Sequence, residues 1–152
     1  MENLKNYILI NQIRYGETVQ VEFHVQDSCR DCLLPKMILQ PFVENAFFHA
    51  FPSGRRGQID IFMEEIKDTD TLRVRIADDG IGMEQSVADI VVERETKKEH
   101  FSGIGIHNVK DRLSLLYGER GGVNIESKTG SGTVVTVDLP AARASGTGGV
   151  SE

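Results

Sequence analysis

Residues 59–78 read "IDIFMEEIKDTDTLRVRIAD", and this stretch restricts the fold more than any other. Ile59, Ile61 and Met63 take every second position. After the turn-like "KDTD", Leu72, Val74 and Ile76 do the same, alternating with Arg73 and Arg75. Successive side chains on a strand point to opposite faces, so a period of two means one dry face and one wet face. Two such runs joined by a short turn predict neighbouring antiparallel strands. The dry face must then be covered by something else in the chain.

The remaining segments supply both more sheet and a cover. In "TVQVEFHV", Val19, Val21, Phe23 and Val25 again alternate with polar residues, which predicts a strand. "LPKMILQPFVENAFFHAF" is long and apolar, with Leu39, Val43, Ala46 and Ala50 at three- and four-residue steps. It predicts a helix in which Pro35 suits the first turn, while Pro41 marks either a kink or the start of the regular part. "GIHNVKDRLSLLYG" predicts a second helix, with Val109, Leu113 and Leu116 on one face and Gly118 as its stop. "GGVNIESKTGSGTVVTVDLP" predicts a closing hairpin that turns at Thr129–Gly132. Residues 84–102 are polar and weakly patterned, long for a loop, and of the kind that forms mobile lids. The order is strand, helix, two strands, helix, two strands. It predicts an α+β domain: a two-layer α/β sandwich whose mostly antiparallel, mixed sheet is covered on one face by helices.

That domain is expected over residues 16–140. Residues 2–15 carry Leu4, Tyr7, Ile8 and Ile13 in a loosely helical pattern, and residues 141–152, "AARASGTGGVSE", read as a disordered tail. A net charge of −6 argues against a duplex nucleic acid or an anionic membrane as partner. No apolar run approaches the roughly 18 residues that cross a bilayer, and "MENLKNYILI" lacks the features of a secretory signal, so a cytoplasmic domain is expected. The only cysteines form "CRDC", Cys29 to Cys32. A zinc site needs a second pair that the chain does not have, which leaves two reduced thiols in a loop.

Four short segments carry residues suited to chemistry. On the first helix, Asn45 and His49 are four apart and share a face, with Glu44 one step round; a carboxylate in such an apolar run is costly to bury without a partner. "IADDGIGME" ends a strand on Asp78 and follows it with Gly80 and Gly82, which permit unusual backbone angles and close approach of a ligand. A carboxylate there could accept a hydrogen bond from the amino group of a base. In "FSGIGIHNVKDRL", Gly103 and Gly105 precede a helix whose free N–H groups favour phosphate, although neither a Walker loop nor G-x-G-x-x-G is present. In "TGSGTVV", Gly130 and Gly132 turn a hairpin and Thr133 offers a hydroxyl. Each segment alone also admits a purely structural reading: a wet helix edge, a turn, a helix entry, a hairpin.

Taken together and in this order, the segments resemble the ATP-binding catalytic domain of a sensor histidine kinase, on the Bergerat fold shared with gyrase, Hsp90 and MutL-type ATPases. "LPKMILQPFVENAFFHAF", "IADDGIGM", "GIGIHNVKDRL" and "GSGTVVTVDLP" most resemble the LytS/YesM-type kinases, and the likeness spans roughly Leu4 to Pro140. The resemblance implies ATP and Mg²⁺ as ligands, with Asn45 coordinating the metal and Glu44 as the acidic catalytic partner beside it. Asp78 would bond the adenine amino group, Gly80 and Gly82 would shape the base pocket, and Met83 would lie against the base. Gly103 and Gly105 would hinge a lid over residues 84–102 and offer N–H groups to phosphate, while Gly130, Gly132 and Thr133 would close the adenine side. Many such kinases carry Lys or Arg where this chain has Phe48; His49 would stand in for it. The reaction implied is transfer of the γ-phosphoryl group to a histidine on an upstream helical hairpin, with a response regulator downstream, in a full-length protein anchored in the bacterial membrane. None of His24, His49, His100 or His107 lies in such a hairpin, so residues 1–15 would be the remnant of a dimerisation helix and self-phosphorylation is not expected. Two alternatives stand beside this: an ATP hydrolase or conformational switch on the same fold, and a nucleotide-binding module without catalysis.

Overall fold

The computed structural model describes residues 6, 8–10, 18–93 and 103–143. Five strands in these residues, β1 (Val19–Val25), β2 (Gly57–Ile66), β3 (Thr71–Asp78), β4 (Gly122–Lys128) and β5 (Gly132–Pro140), form one sheet in the order β1-β2-β3-β5-β4. The hairpin read from residues 59–78 is present, with Ile61 opposite Ile76 and Ile59 opposite Asp78. β5 pairs antiparallel with both β3 and β4, whereas β1 runs parallel to β2. A parallel pair cannot be joined by a tight turn, and the chain between β1 and β2 contains helix α1 (Gln40–Asn45). Two further helices are α2 (Gln85–Glu93) and α3 (Gly103–Tyr117).

The dry face forms as the alternation predicts. Ile59, Ile61, Met63, Leu72, Val74, Ile76, Val137 and Leu139 are all buried, each contributing about 1.5–3 kcal/mol relative to an exposed side chain. Phe42, Val43, Ala46 and Phe47 on the first helical segment, and Ile106, Val109 and Leu113 on α3, close over them. The other face is polar and paired across strands. Arg73 donates from Nε and Nη2 to the two carboxylate oxygens of Asp138, each at 2.8 Å, from directly opposite positions on β3 and β5. Arg75 lies over the Phe62 ring, on whose neighbouring side His24 stacks with centroids 4.5 Å apart.

Several sequence expectations need correction. The helix expected from Leu34 starts only at Gln40, because Met37 has φ +62°, outside any right-handed helix. Pro41 therefore sits in the first turn, where its missing N–H is not needed, which is the second of the two places read for it from sequence. After Asn45 the helix widens into a π-turn over Ala46–Ala50. Residues 85–93, expected as lid loop, are helix α2, with Ala88 fully buried; the lid residues 94–102 lie outside the described residues. On α3 the buried stripe is Ile106, Val109 and Leu113 with Tyr117 packed against it, whereas Leu116 is 53% exposed.

At the far end of the sheet, Cys29 and Cys32 are buried free thiols, and burial together with the neighbouring Cys29 pushes the Cys32 thiol above its ordinary value. Residues 141–143, assigned to the tail from sequence, are held by backbone bonds from Ala141 N–H to the Asp70 carbonyl and from Leu33 N–H to the Ala142 carbonyl, and Arg143 pairs with Glu65. The rest of the tail and most of residues 1–15 lie outside the described residues; of the latter, Ile8 is buried. Among the described residues no helix is long and apolar enough to cross a membrane.

Candidate functional site

The two carboxylates of "DDGIG" have different tasks. Asp79 turns outward and ties the loop to β2: its Oδ1 accepts the Gln58 N–H at 2.8 Å, and its own N–H donates to the Gln58 carbonyl. Asp78 is the last residue of β3 on the inner face, in register with Ile59 and Thr133. Its Oδ1 accepts the Gly80 N–H at 3.0 Å. Burial pushes its pKa from 3.8 up to about 6, against the pull of backbone N–H groups of Gly80 and Thr133; the nearby Asp79 adds to the rise.

Asp78 lines a cavity of about 390 Å³ between the sheet and the helices. The π-turn and the end of α1 supply Asn45, Ala46, His49 and Ala50; the loop after β3 supplies Ile81, Gly82 and Met83; β5 supplies Thr133 and Val135. Phe42, Ile76, Ile106 and Ile125 complete apolar walls. A mostly apolar pocket of this size with a few convergent polar groups is the usual form of a small-molecule site. The widened turn matters here, since π-turns recur at functional sites and this one carries His49 and Ala50 to the wall.

Of the residues singled out from sequence, Asn45, His49, Asp78, Gly82, Met83 and Thr133 meet on this one cavity. Glu44 lies one step round the helix and accepts a hydrogen bond from Gln40 Nε2 at 3.0 Å; it is not on the cavity wall. Phe48 is also off the wall and is 46% exposed. The glycines of these loops also pack against the protein itself. Gly80 lies against Ala50, where a Cβ would collide with that residue. Gly82, at φ +60°, packs on the Lys128 and Gly132 carbonyls, and Gly132, at φ +90°, packs on the Asp78 carbonyl. With Gly130 N–H donating to the Ile81 carbonyl at 2.7 Å, the two glycine loops interlock backbone to backbone. Gly103 opens α3, and Gly105 faces Pro41, with its would-be Cβ 3.2 Å from the proline ring.

Sequence reasoning missed two supports. Ser127 Oγ meets the Met83 N–H at 2.9 Å and the Thr133 hydroxyl at 2.8 Å. Gln85 clamps α2 to the open edge of β4, accepting from Ser127 N–H at 2.9 Å and donating to the Ile125 carbonyl at 2.8 Å. Extending the period-two pattern Val123–Ile125 by one step would have pointed Ser127 inward.

Residues 30–143 match the family model described as histidine kinase-, DNA gyrase B-, and HSP90-like ATPase. The chain belongs to this family. Within it, the chain is 32% identical over 141 residues to the sensor histidine kinase/phosphatase LytS of Staphylococcus aureus, and 28% identical over 140 residues to the sensor protein LytS of Staphylococcus haemolyticus. Both matches cover 92% of the chain but only 24% of the relative, so the chain spans about a quarter of their length. Among solved structures, a mycobacterial sensor histidine kinase, MprB, superposes with a TM-score of 0.67 at 21% identity, covering 94% of this chain and 95% of that one. Full-length ShkA in complex with AMPPNP gives 0.67 at 20% identity, covering 95% of this chain and 30% of that one. These likenesses show the shared fold, a mixed sheet with helices on one face, as expected for the Bergerat architecture.

Proposed function

We propose that this member of the family is the catalytic domain of a sensor histidine kinase, which binds MgATP and presents its γ-phosphoryl group to a histidine on a helical hairpin of the same or a partner polypeptide. The observation that carries the proposal is the meeting of Asn45, His49, Asp78, Met83 and Thr133, from three separated stretches of chain, on one cavity. The cavity fits the base. Asp78 is a mostly buried acid in apolar surroundings, supported by the backbone N–H groups of Gly80 and Thr133, so an amino group of the ligand would further relieve a desolvated carboxylate. The solved complex of ShkA with AMPPNP shows that a neighbour on this fold takes an ATP analogue.

Asn45 would give an amide oxygen to Mg²⁺, which takes few protein ligands and relies on phosphate and water for the rest. His49, on the wall where Phe48 is not, would supply the positive charge that other kinases draw from Lys or Arg. Glu44, beside Asn45, would orient the acceptor imidazole and take its proton. Gly103 and Gly105 would let helix N–H groups face phosphate. When bound, MgATP supplies the phosphoryl group, with ADP as leaving group. The chain's own work is positioning and charge neutralisation, which dominate phosphoryl transfer. A response regulator would receive the phosphoryl group next, and the full-length protein would be anchored in the bacterial membrane.

The test mixes the chain with a separately produced acceptor hairpin from a LytS-type kinase and radiolabelled MgATP. Acid-labile label on the hairpin, lost in Asn45→Ala, supports the reading. Release of inorganic phosphate without labelling would move the chain to the hydrolases, and nucleotide binding with neither would make it a binding module.

A further inference from the structure

The ends of three neighbouring strands carry a polar row on the inner face. Asp78 on β3 is opposite Thr133 on β5, and Thr133 is opposite Ser127 on β4. Asp78 and Thr133 line the cavity, and Ser127 stands behind them. Ser127 Oγ has three polar neighbours: the Met83 N–H at 2.9 Å, the Gly132 carbonyl at 3.1 Å and the Thr133 hydroxyl at 2.8 Å. The first can only donate, the second can only accept, and Ser127 has a single proton. One assignment satisfies all three contacts: Ser127 accepts from Met83, donates to Gly132 and accepts from Thr133. The opposite assignment, with Ser127 donating to Thr133, leaves the Ser127 and Gly132 oxygens 3.1 Å apart with no proton between them.

We infer that Ser127 is a positioning residue that fixes the Thr133 hydroxyl as a hydrogen-bond acceptor toward the cavity. Thr133 and the adjacent Asp78 carboxylate then present two acceptors side by side. That pair suits an exocyclic amino group with its two N–H donors and repels a carbonyl oxygen at the same place. The inference rests on the nucleotide-binding reading of the cavity and adds to it how a 6-amino purine is told from a 6-oxo purine.

Calorimetric titration of the chain with MgATP and with MgITP, in wild type, Ser127→Ala, Thr133→Val and the double variant, tests it. Wild type should prefer ATP by up to about a hundredfold, the scale set by leaving a buried polar partner unmatched. Ser127→Ala frees the Thr133 hydroxyl to rotate and donate to a 6-oxo group, so the ATP-to-ITP preference should shrink by about fivefold or more while the fold is kept. In the Thr133→Val background, adding Ser127→Ala should leave the preference unchanged, because the hydroxyl it acts through is gone. An unaltered preference in Ser127→Ala overturns the inference, and so does an equal loss in both backgrounds. If Ser127→Ala does not fold, Ser127→Cys, which keeps the shape and weakens the hydrogen bonds, carries the same comparison. Wild type that binds neither nucleotide would instead remove the reading of the cavity, and the inference with it, so the two failures are told apart.

Discussion

Asp78 is held where its charge is least favourable, and that sets a pH signature. Its folded pKa, about 6, lies above the ordinary 3.8, so between these values the folded chain keeps a proton that the unfolded chain has released. Stability of the ligand-free protein is therefore greatest below about pH 4 as far as this group is concerned, and falls as the pH rises to 6, by on the order of 3 kcal/mol. Asp78→Asn removes the ionisation: chemical denaturation at pH 7.5 should show the variant about 1–2 kcal/mol more stable, while its ATP affinity drops at least about tenfold. In wild type, ATP affinity should weaken as the pH is lowered through 6, because the protonated carboxyl no longer accepts from an amino group as well. Gly132 offers a contrasting test. Its φ of +90° and its seat on the Asp78 carbonyl leave no room for a methyl group, so Gly132→Ala should cost at least about 2 kcal/mol in urea unfolding. At this scale the sequence pointed to Asp78 and Thr133 by residue type, and the fold brings both to one cavity. At Ser127 the period-two pattern gives only an inward direction, and the role comes from a partner six residues away across a hairpin. The glycines were read for ligand approach, and the structure gives Gly80, Gly82 and Gly132 close packing on protein backbone as well.

Elements came through where their periodicity was clean. The runs Ile59–Met63 and Leu72–Ile76 announced their strands, and Val135–Leu139 announced β5. Helix α2 stayed hidden because its apolar pattern is thin among the described side chains: Ala88 is fully buried, while Val87 and Ile90 are exposed. The π-turn has no period of its own to reveal it, and Met37 broke the expected helix through a backbone angle that Met seldom adopts. What α2 does depends on Gln85, whose amide stands in for a strand at the otherwise open edge of β4. Gln85→Ala should remove about 1–2 kcal/mol locally, and hydrogen exchange should show it first as lost protection of the Ser127 amide.

Across the whole molecule, both layers contribute to the cavity: sheet residues such as Ile76, Ile125 and Val135 on one side, helix residues such as Phe42, Asn45 and Ile106 on the other. A ligand there would stabilise the domain as a unit. At a free concentration about a hundred times its Kd, MgATP should add about 2.7 kcal/mol, with protection from hydrogen exchange rising on β3, β5 and α1 together. A rise confined to one loop would contradict a site shared between layers. The interlock of the 78–83 and 128–132 loops carries a further consequence, this time for ancestry. Backbones that pass so closely cannot lengthen one at a time, since an added residue in either would push into the other. Insertions accumulated by descendants of a common ancestor should therefore gather at turns outside this interlock, while these two loops keep their lengths as an inherited pair.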